Sequence, residues 1–207
     1  MSRFRVAHTT SKTLPLSKIS ASVANLILVE YRRLGSLIVG IDGPDCSGKS
    51  TLCRSLVTKL KEQLRIIPIH LDDYLNLPER RTRLGEFSVE GFLNDFFDYE
   101  ALIKSALEPF ASFSRERRPL ADIMLVEGLF LFRKELVNYF DLRLRLEINE
   151  ELLLRRALAR DVGQLGSEPW VRRHYIEQCI PAQKCYRETT PLRELSDVII
   201  NVATEDS

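Results

Sequence analysis

The chain has 207 residues, 44% of them hydrophobic and 29% charged, and a formal net charge of +1. That length supports one substantial core and would cramp two full domains, and so balanced a charge argues against nucleic acid as the main partner. No apolar run reaches membrane-spanning length, and the basic N-terminus lacks the features of a secretory leader, so no membrane association and a cytoplasmic location are expected.

Residues Met1 to Pro15 read as a polar, loosely held tail. From Ser17 to Arg33 apolar residues recur at helical spacing (Ile19, Val23, Leu26, Ile27), which predicts a helix packed ahead of the first strand. Leu37 to Ile41 is a continuous apolar run, expected in a strand covered on both faces. A helix follows to about Gln63 and buries Leu52, Leu56, Leu60 and Leu64. A second strand, Ile66 to Leu71, ends in Asp72-Asp73-Tyr74. Residues Leu75 to Phe97 show no clear period and are too long for an idle connection, so they are expected to face a substrate. A helix from Tyr99 is expected to close at Pro109, and Ser112 to Pro119 reads as a surface turn. A third apolar run, Ile123 to Val126, ends in Glu127-Gly128. A short helix is expected over Lys134 to Tyr139. Leu142 to Ile148 alternates leucine with arginine and reads as a strand near an edge. An Arg-rich helical region runs from Glu150, breaks around Gly163 to Pro169, and resumes to Tyr186. Val198 to Val202 is the last strand. Five strands alternating with helices predict an α/β three-layer fold with a parallel sheet, whose ligands sit at the carboxyl ends of the strands.

Between the first strand and its helix lies Gly43-Pro-Asp-Cys-Ser-Gly-Lys-Ser50, which matches G-x-x-x-x-G-K-[ST]. Glycines at this spacing let successive backbone N–H groups turn around a phosphate, and the helix that follows points its positive end at the same anion. Gly43, Asp45, Cys46, Ser47, Gly48, Lys49, Ser50 and Thr51 are therefore expected to bind a nucleotide triphosphate. Lys49 would add a full charge beside the transferring phosphate, and the Ser50 hydroxyl would help hold Mg²⁺.

Asp72 follows the second strand and suits a base that takes a hydroxyl proton; a loop-capping carboxylate is the plainer reading. Glu127, at the end of a buried strand, suits the Mg²⁺ shell. Arg156 and Arg160 lie one helical turn apart, so both forks can meet phosphate oxygens, or simply form a solvated face with nearby carboxylates. Asp73, Tyr74, Arg83, Glu90 and Asp95 are the expected acceptor contacts. The four cysteines form no C-x-x-C pair and read as small buried residues of a reducing compartment. An oxidation-sensitive thiol is the alternative for Cys46 alone, because thiols at helix N-termini ionise more readily. His70 reads as a satisfied sheet residue.

Taken in order, the P-loop, Leu71-Asp-Asp-Tyr, Leu125-Val-Glu-Gly-Leu-Phe, Arg155-Arg-Ala-Leu-Ala-Arg-Asp161 and Ser196-Asp-Val-Ile-Ile200 resemble the uridine kinase and phosphoribulokinase-like group of P-loop kinases. Ile180-Pro-Ala-Gln-Lys-Cys-Tyr186 is similar to that group too. The resemblance spans Leu37 to Val202. It implies an ATP-dependent phosphotransferase with a five-stranded parallel core, a base at Asp72, a metal-associated carboxylate at Glu127 and lid arginines at Arg156 and Arg160. The implied organisation is an N-terminal tail and helix over 1–35 and one kinase domain over 36–207, with a lid at about 150–175. Two departures concern the acceptor and the lid. Val162-Gly-Gln-Leu-Gly-Ser167 lacks the family's arginine pair, for which Arg172 or Arg173 would have to substitute, and the pyrimidine-pocket stretch does not match over Phe87 to Asp95. A hydroxylated small molecule, a nucleoside first, is the expected partner. Pantothenate, nicotinamide riboside, a sugar phosphate or a non-catalytic ATP-binding role are the alternatives, and a homo-oligomer stays open.

Overall fold

The computed structural model describes residues 8–10, 16–112 and 121–202. The expected surface turn over Ser112 to Pro119 falls almost wholly outside them. Among the described residues six strands form one sheet: β1 (His8–Thr10), β2 (Leu37–Asp42), β3 (Ile66–His70), β4 (Ile123–Gly128), β5 (Leu142–Glu147) and β6 (Val198–Asn201). Their order is β1-β6-β5-β2-β4-β3, and every pairing is parallel. The five predicted strands are all present. A sixth, β1, joins at the β6 edge from within the segment read as a loose tail; with only three residues it offers no periodicity to read.

Side chains alternate across the sheet, as strand geometry requires. Leu37, Val39, Ile41, Ile123 and Leu125 pack on one side with helix α1 (Leu16–Leu34) and helix α2 (Lys49–Leu60). Ile38, Met124 and Val126 pack on the other with Phe130, Phe132, Phe140 and the later helices. Strand β3 lies at the far edge, which accommodates Pro68, a residue with no N–H to give a second neighbour.

Strand β5 is not near an edge. It sits between β6 and β2. Leu142, Leu144 and Leu146 fill one face, while Arg143 and Arg145, 8% and 2% exposed, are carried inside on the other. Each is neutralised by a distant carboxylate. Arg143 donates from Nη2 to Asp197 at 3.2 Å, and Arg145 donates to Asp42, which also accepts the Leu131 N–H at 3.0 Å. Alternating arginines resemble a solvated strand in sequence, and only the partners reveal a buried one.

Pro109, expected to end a helix, does not, and Pro181 also lies within a continuous helical run. The helix from Tyr99 continues through Pro109 to Ser112, and another runs from Glu168 through Pro181 to Thr189. In each, a π turn (Ile103–Leu107, Tyr175–Cys179) stands just ahead of the proline. The looser π ladder already breaks the i→i−4 pattern that a proline cannot complete. The irregular stretch 75–97 carries two short helices, Pro78–Arg81 and Val89–Asn94, and is closed at its base by a Leu75–Phe97 bridge. Over Lys134 to Tyr139 the chain turns and forms a 3-10 segment, Val137–Tyr139.

Candidate active site

The central strand β2 leads into the loop Gly43–Gly48 at the carboxyl edge of the sheet, where α2 begins. Glycine is required twice here. A Cβ on Gly43 would sit 2.9 Å from Ser47 Oγ and 3.0 Å from the Leu146 carbonyl. Gly48 caps α2 at φ +92°, a left-handed conformation that side chains resist. Cys46 takes a left-handed conformation too, at φ +56°, which marks strain held in this loop. Lys49 reaches back and donates to the Pro44 carbonyl at 2.8 Å.

A cavity of about 640 Å³ opens over the loop. Asp45, Cys46, Ser47, Gly48, Lys49, Ser50 and Thr51 line it, together with Asp72, Glu127, Arg156 and Arg160. Residues from the segments that follow β2 and β3, from the end of β4 and from the helix α3 (Glu150–Asp161) therefore meet at one place. Asn149 caps α3 by accepting the Leu152 N–H at 2.7 Å, which sets the start of the helix carrying both arginines.

The charges are held rather than loose. Glu127, 4% exposed, accepts a hydrogen bond from Ser50 Oγ at 2.8 Å, and the same Oε1 lies 2.7 Å from His70 Nδ1. Asp72 stands at the start of a 3-10 turn after β3. Its surroundings and the Glu127 charge raise its pKa against the pull of Lys49 and Arg160. Asp45 is raised as well, first by burial, with Lys49 and Arg160 opposing. Arg160 binds Asp161 at 2.6 and 3.0 Å and the Tyr175 hydroxyl at 3.0 Å, and the Asp161 bonds hold its proton more tightly than usual. Burial alone would raise Asp161, but the bonds from Arg160 and Tyr175 outweigh it and keep that carboxyl low. Arg156 donates to the Cys46 carbonyl at 3.2 Å.

Cys46 follows the buried reading rather than the reactive alternative. Burial pushes it up to about 11, and the Arg160 charge is too small a counterweight. The five expected acceptor contacts do not line the cavity. Arg83 and Asp95 bind each other at 2.8 Å, with Arg80 a further 3.9 Å contact. Tyr74 is half-buried and its hydroxyl meets Ser105 Oγ at 3.4 Å. Asp73 and Glu90 are exposed. Arg172 and Arg173 do not line it either; they pair with Glu168 and Glu177 along their own helix.

Three contributors escape a reading of sequence alone. His70 is set opposite Glu127 by the β3–β4 register. Gln183 holds the loop at Asp45. Tyr175 orients the Arg160–Asp161 pair. His70 stands two residues before Asp72, and Gln183 lies in the Ile180–Tyr186 stretch, so position near a motif was the one available signal.

Uridine-cytidine kinase 2-B of Danio rerio is 25% identical over 191 residues, covering 79% of this chain and 72% of its own. The uridine kinase of Lactobacillus helveticus is 25% identical over 184 residues, covering 79% and 85%. The chain is similar in sequence to uridine kinases. The structure of "a Possible Uridine Kinase from Bacillus stearothermophilus" superposes with a TM-score of 0.62 at 21% identity, covering 86% of this chain and 99% of that one. The chain thus shares the three-layer α/β P-loop fold of that structure. No protein-family model matches it.

The residues present fit a triphosphate and a hard cation. The glycine cradle leaves room that a Cβ would fill, and the buried Ser47 Oγ has no hydrogen-bond partner. Ser50 and Glu127 offer oxygen donors side by side. Two such donors suit Mg²⁺, an ion that takes few protein ligands and fills its shell with phosphate oxygens and water.

Proposed function

We propose that this protein is an Mg²⁺-dependent kinase that transfers the γ-phosphoryl group of ATP to a hydroxyl of a small metabolite, with a pyrimidine nucleoside as acceptor. The observation that carries this reading is the convergence of Lys49, Asp72, Glu127, Arg156 and Arg160 on one cavity. A nucleotide-binding switch has need of the loop and the metal carboxylate but not of a second carboxylate at the neighbouring strand end. The uridine kinase-like sequence supports a nucleoside acceptor.

In this reading the loop N–H groups and Lys49 hold the phosphates. Asp72 aims the acceptor hydroxyl and takes its proton as the new O–P bond forms and the bond to the ADP oxygen breaks. Arg156 and Arg160 face the charge that spreads over the transferring group. Ser50 and Glu127 would hold Mg²⁺, which supplies further neutralisation of the phosphate oxygens. The segment 150–175 acts as a lid that keeps water from the phosphoryl group.

Replacing Asp72 with Asn tests the assignment. ATP binding should persist while acceptor-dependent ADP release falls by roughly 10²–10⁴-fold; retained turnover would overturn the role. Screening uridine and cytidine against pantothenate, nicotinamide riboside and sugar phosphates, by ADP release, tests the acceptor.

A further inference from the structure

The cavity has two chemically different ends. Toward β3 it is acidic, with Asp72 and Glu127. Toward β6 it is lined by Ile200, Asn201 and Val202, and by Ile19 of helix α1. Ile19 is 8% exposed and Ile200 1%, and both pack with Val202 in the cluster under α1. The loop strand β2 stands between these ends, two strand positions from β6 and two from β3. Two strand spacings come to about 10 Å, roughly the length of a nucleoside. A triphosphate seated over the loop therefore has an apolar, uncharged pocket on one side and a carboxylate pair on the other.

Resting on the kinase reading above, we infer that helix α1 is part of the nucleotide site: Ile19, with Ile200 and Val202, forms the apolar wall that receives the base of ATP. A flat aromatic base needs apolar contact on its face and a few polar groups at its edge. The two isoleucines and the valine give the first, and the Asn201 amide can both donate and accept for the second. The acidic end does not suit the base, because its carboxylates are needed for the cation and the hydroxyl. Helix α1 is thereby more than packing ahead of the sheet. It makes base recognition depend on a segment ahead of the phosphate-loop strand.

The test compares two probes by calorimetric titration in the presence of Mg²⁺: ATP, which has a base, and inorganic tripolyphosphate, which has none. Ile19→Ala shortens the wall. Val202→Ser, just past β6 and half-buried, changes the same wall at the rim of the cluster under α1 and removes less buried apolar surface. Each variant should weaken ATP by about tenfold, the loss expected for a few buried methyl groups, and leave tripolyphosphate within about twofold. Equal weakening of both probes would overturn the inference, because α1 would then shape the loop as a whole. Unchanged ATP binding in both variants would overturn it as well. If the unaltered protein binds neither probe, the kinase reading itself falls, a result that cannot be confused with the other two.

Discussion

Gln183 holds Asp45 from two directions. Its Oε1 accepts the Asp45 backbone N–H at 3.2 Å, and its Nε2 donates to the Asp45 carboxylate at 2.8 Å. The two residues are 138 positions apart. A late helix is thereby fastened to the phosphate loop, beside the strained Cys46. Gln183→Leu keeps the volume and removes both bonds. It should lower stability by about 1–3 kcal/mol, the cost of leaving a buried acceptor unpaired, measured by urea unfolding, and weaken ATP as the loop loosens.

Asp45→Asn should act in the opposite sense on stability. The folded protein raises the Asp45 pKa above 3.8, so the folded state holds the proton more tightly than the unfolded one. The ionised carboxylate is then a burden that grows as pH rises from the unfolded value through the folded one. Asparagine keeps an oxygen for Gln183 and carries no charge. The variant should melt above the unaltered protein at pH 7 and converge with it in acid, as thermal scans across pH would record.

The acid limb of the transfer rate should report Asp72. Only the ionised form can accept a proton, and its pKa is raised above 3.8 by its surroundings and by Glu127. Activity should climb with pH through that raised value. In Glu127→Gln the limb should move to lower pH, because a repelling charge has gone, although the overall rate falls. A limb that stays in place would show that Glu127 does not govern Asp72.

His70 orients a carboxylate rather than reacting. Its Nδ1 contact with Glu127 fixes the oxygen that also meets Ser50. Partners of this kind shift metal affinity by about 10–100-fold when removed. His70→Ala should raise the Mg²⁺ concentration needed for half-maximal activity by about that factor, with saturated turnover changed far less.

Cys46 should resist alkylation at neutral pH despite its place in the loop. With its pKa pushed to about 11, the thiolate fraction is very small at pH 7 and grows tenfold per pH unit. Iodoacetamide labelling of Cys46, followed by peptide mass analysis from pH 7 to 10, should rise with that slope. Rapid labelling at pH 7 would contradict the burial that sets the value.

What the sequence determined by itself is local. Gly43 to Ser50 announces a phosphate loop because its glycines answer backbone demands that other residues cannot meet. The apolar runs mark the strands, and Asp72 and Glu127 are marked by where those runs stop. The tertiary structure decided whatever depends on partners far apart in the chain. Arg143 and Arg145 belong to a central strand because Asp197 and Asp42 neutralise them. Arg83 and Asp95, twelve positions apart, are brought together as an ion pair. His70 meets Glu127 through strand register, and Gln183 meets Asp45 through helix packing. A charged or polar side chain looks alike in sequence whether it faces water, a substrate or a buried partner. Its role follows from what the fold brings within hydrogen-bonding reach, and that is a property of the packed chain rather than of any stretch of it.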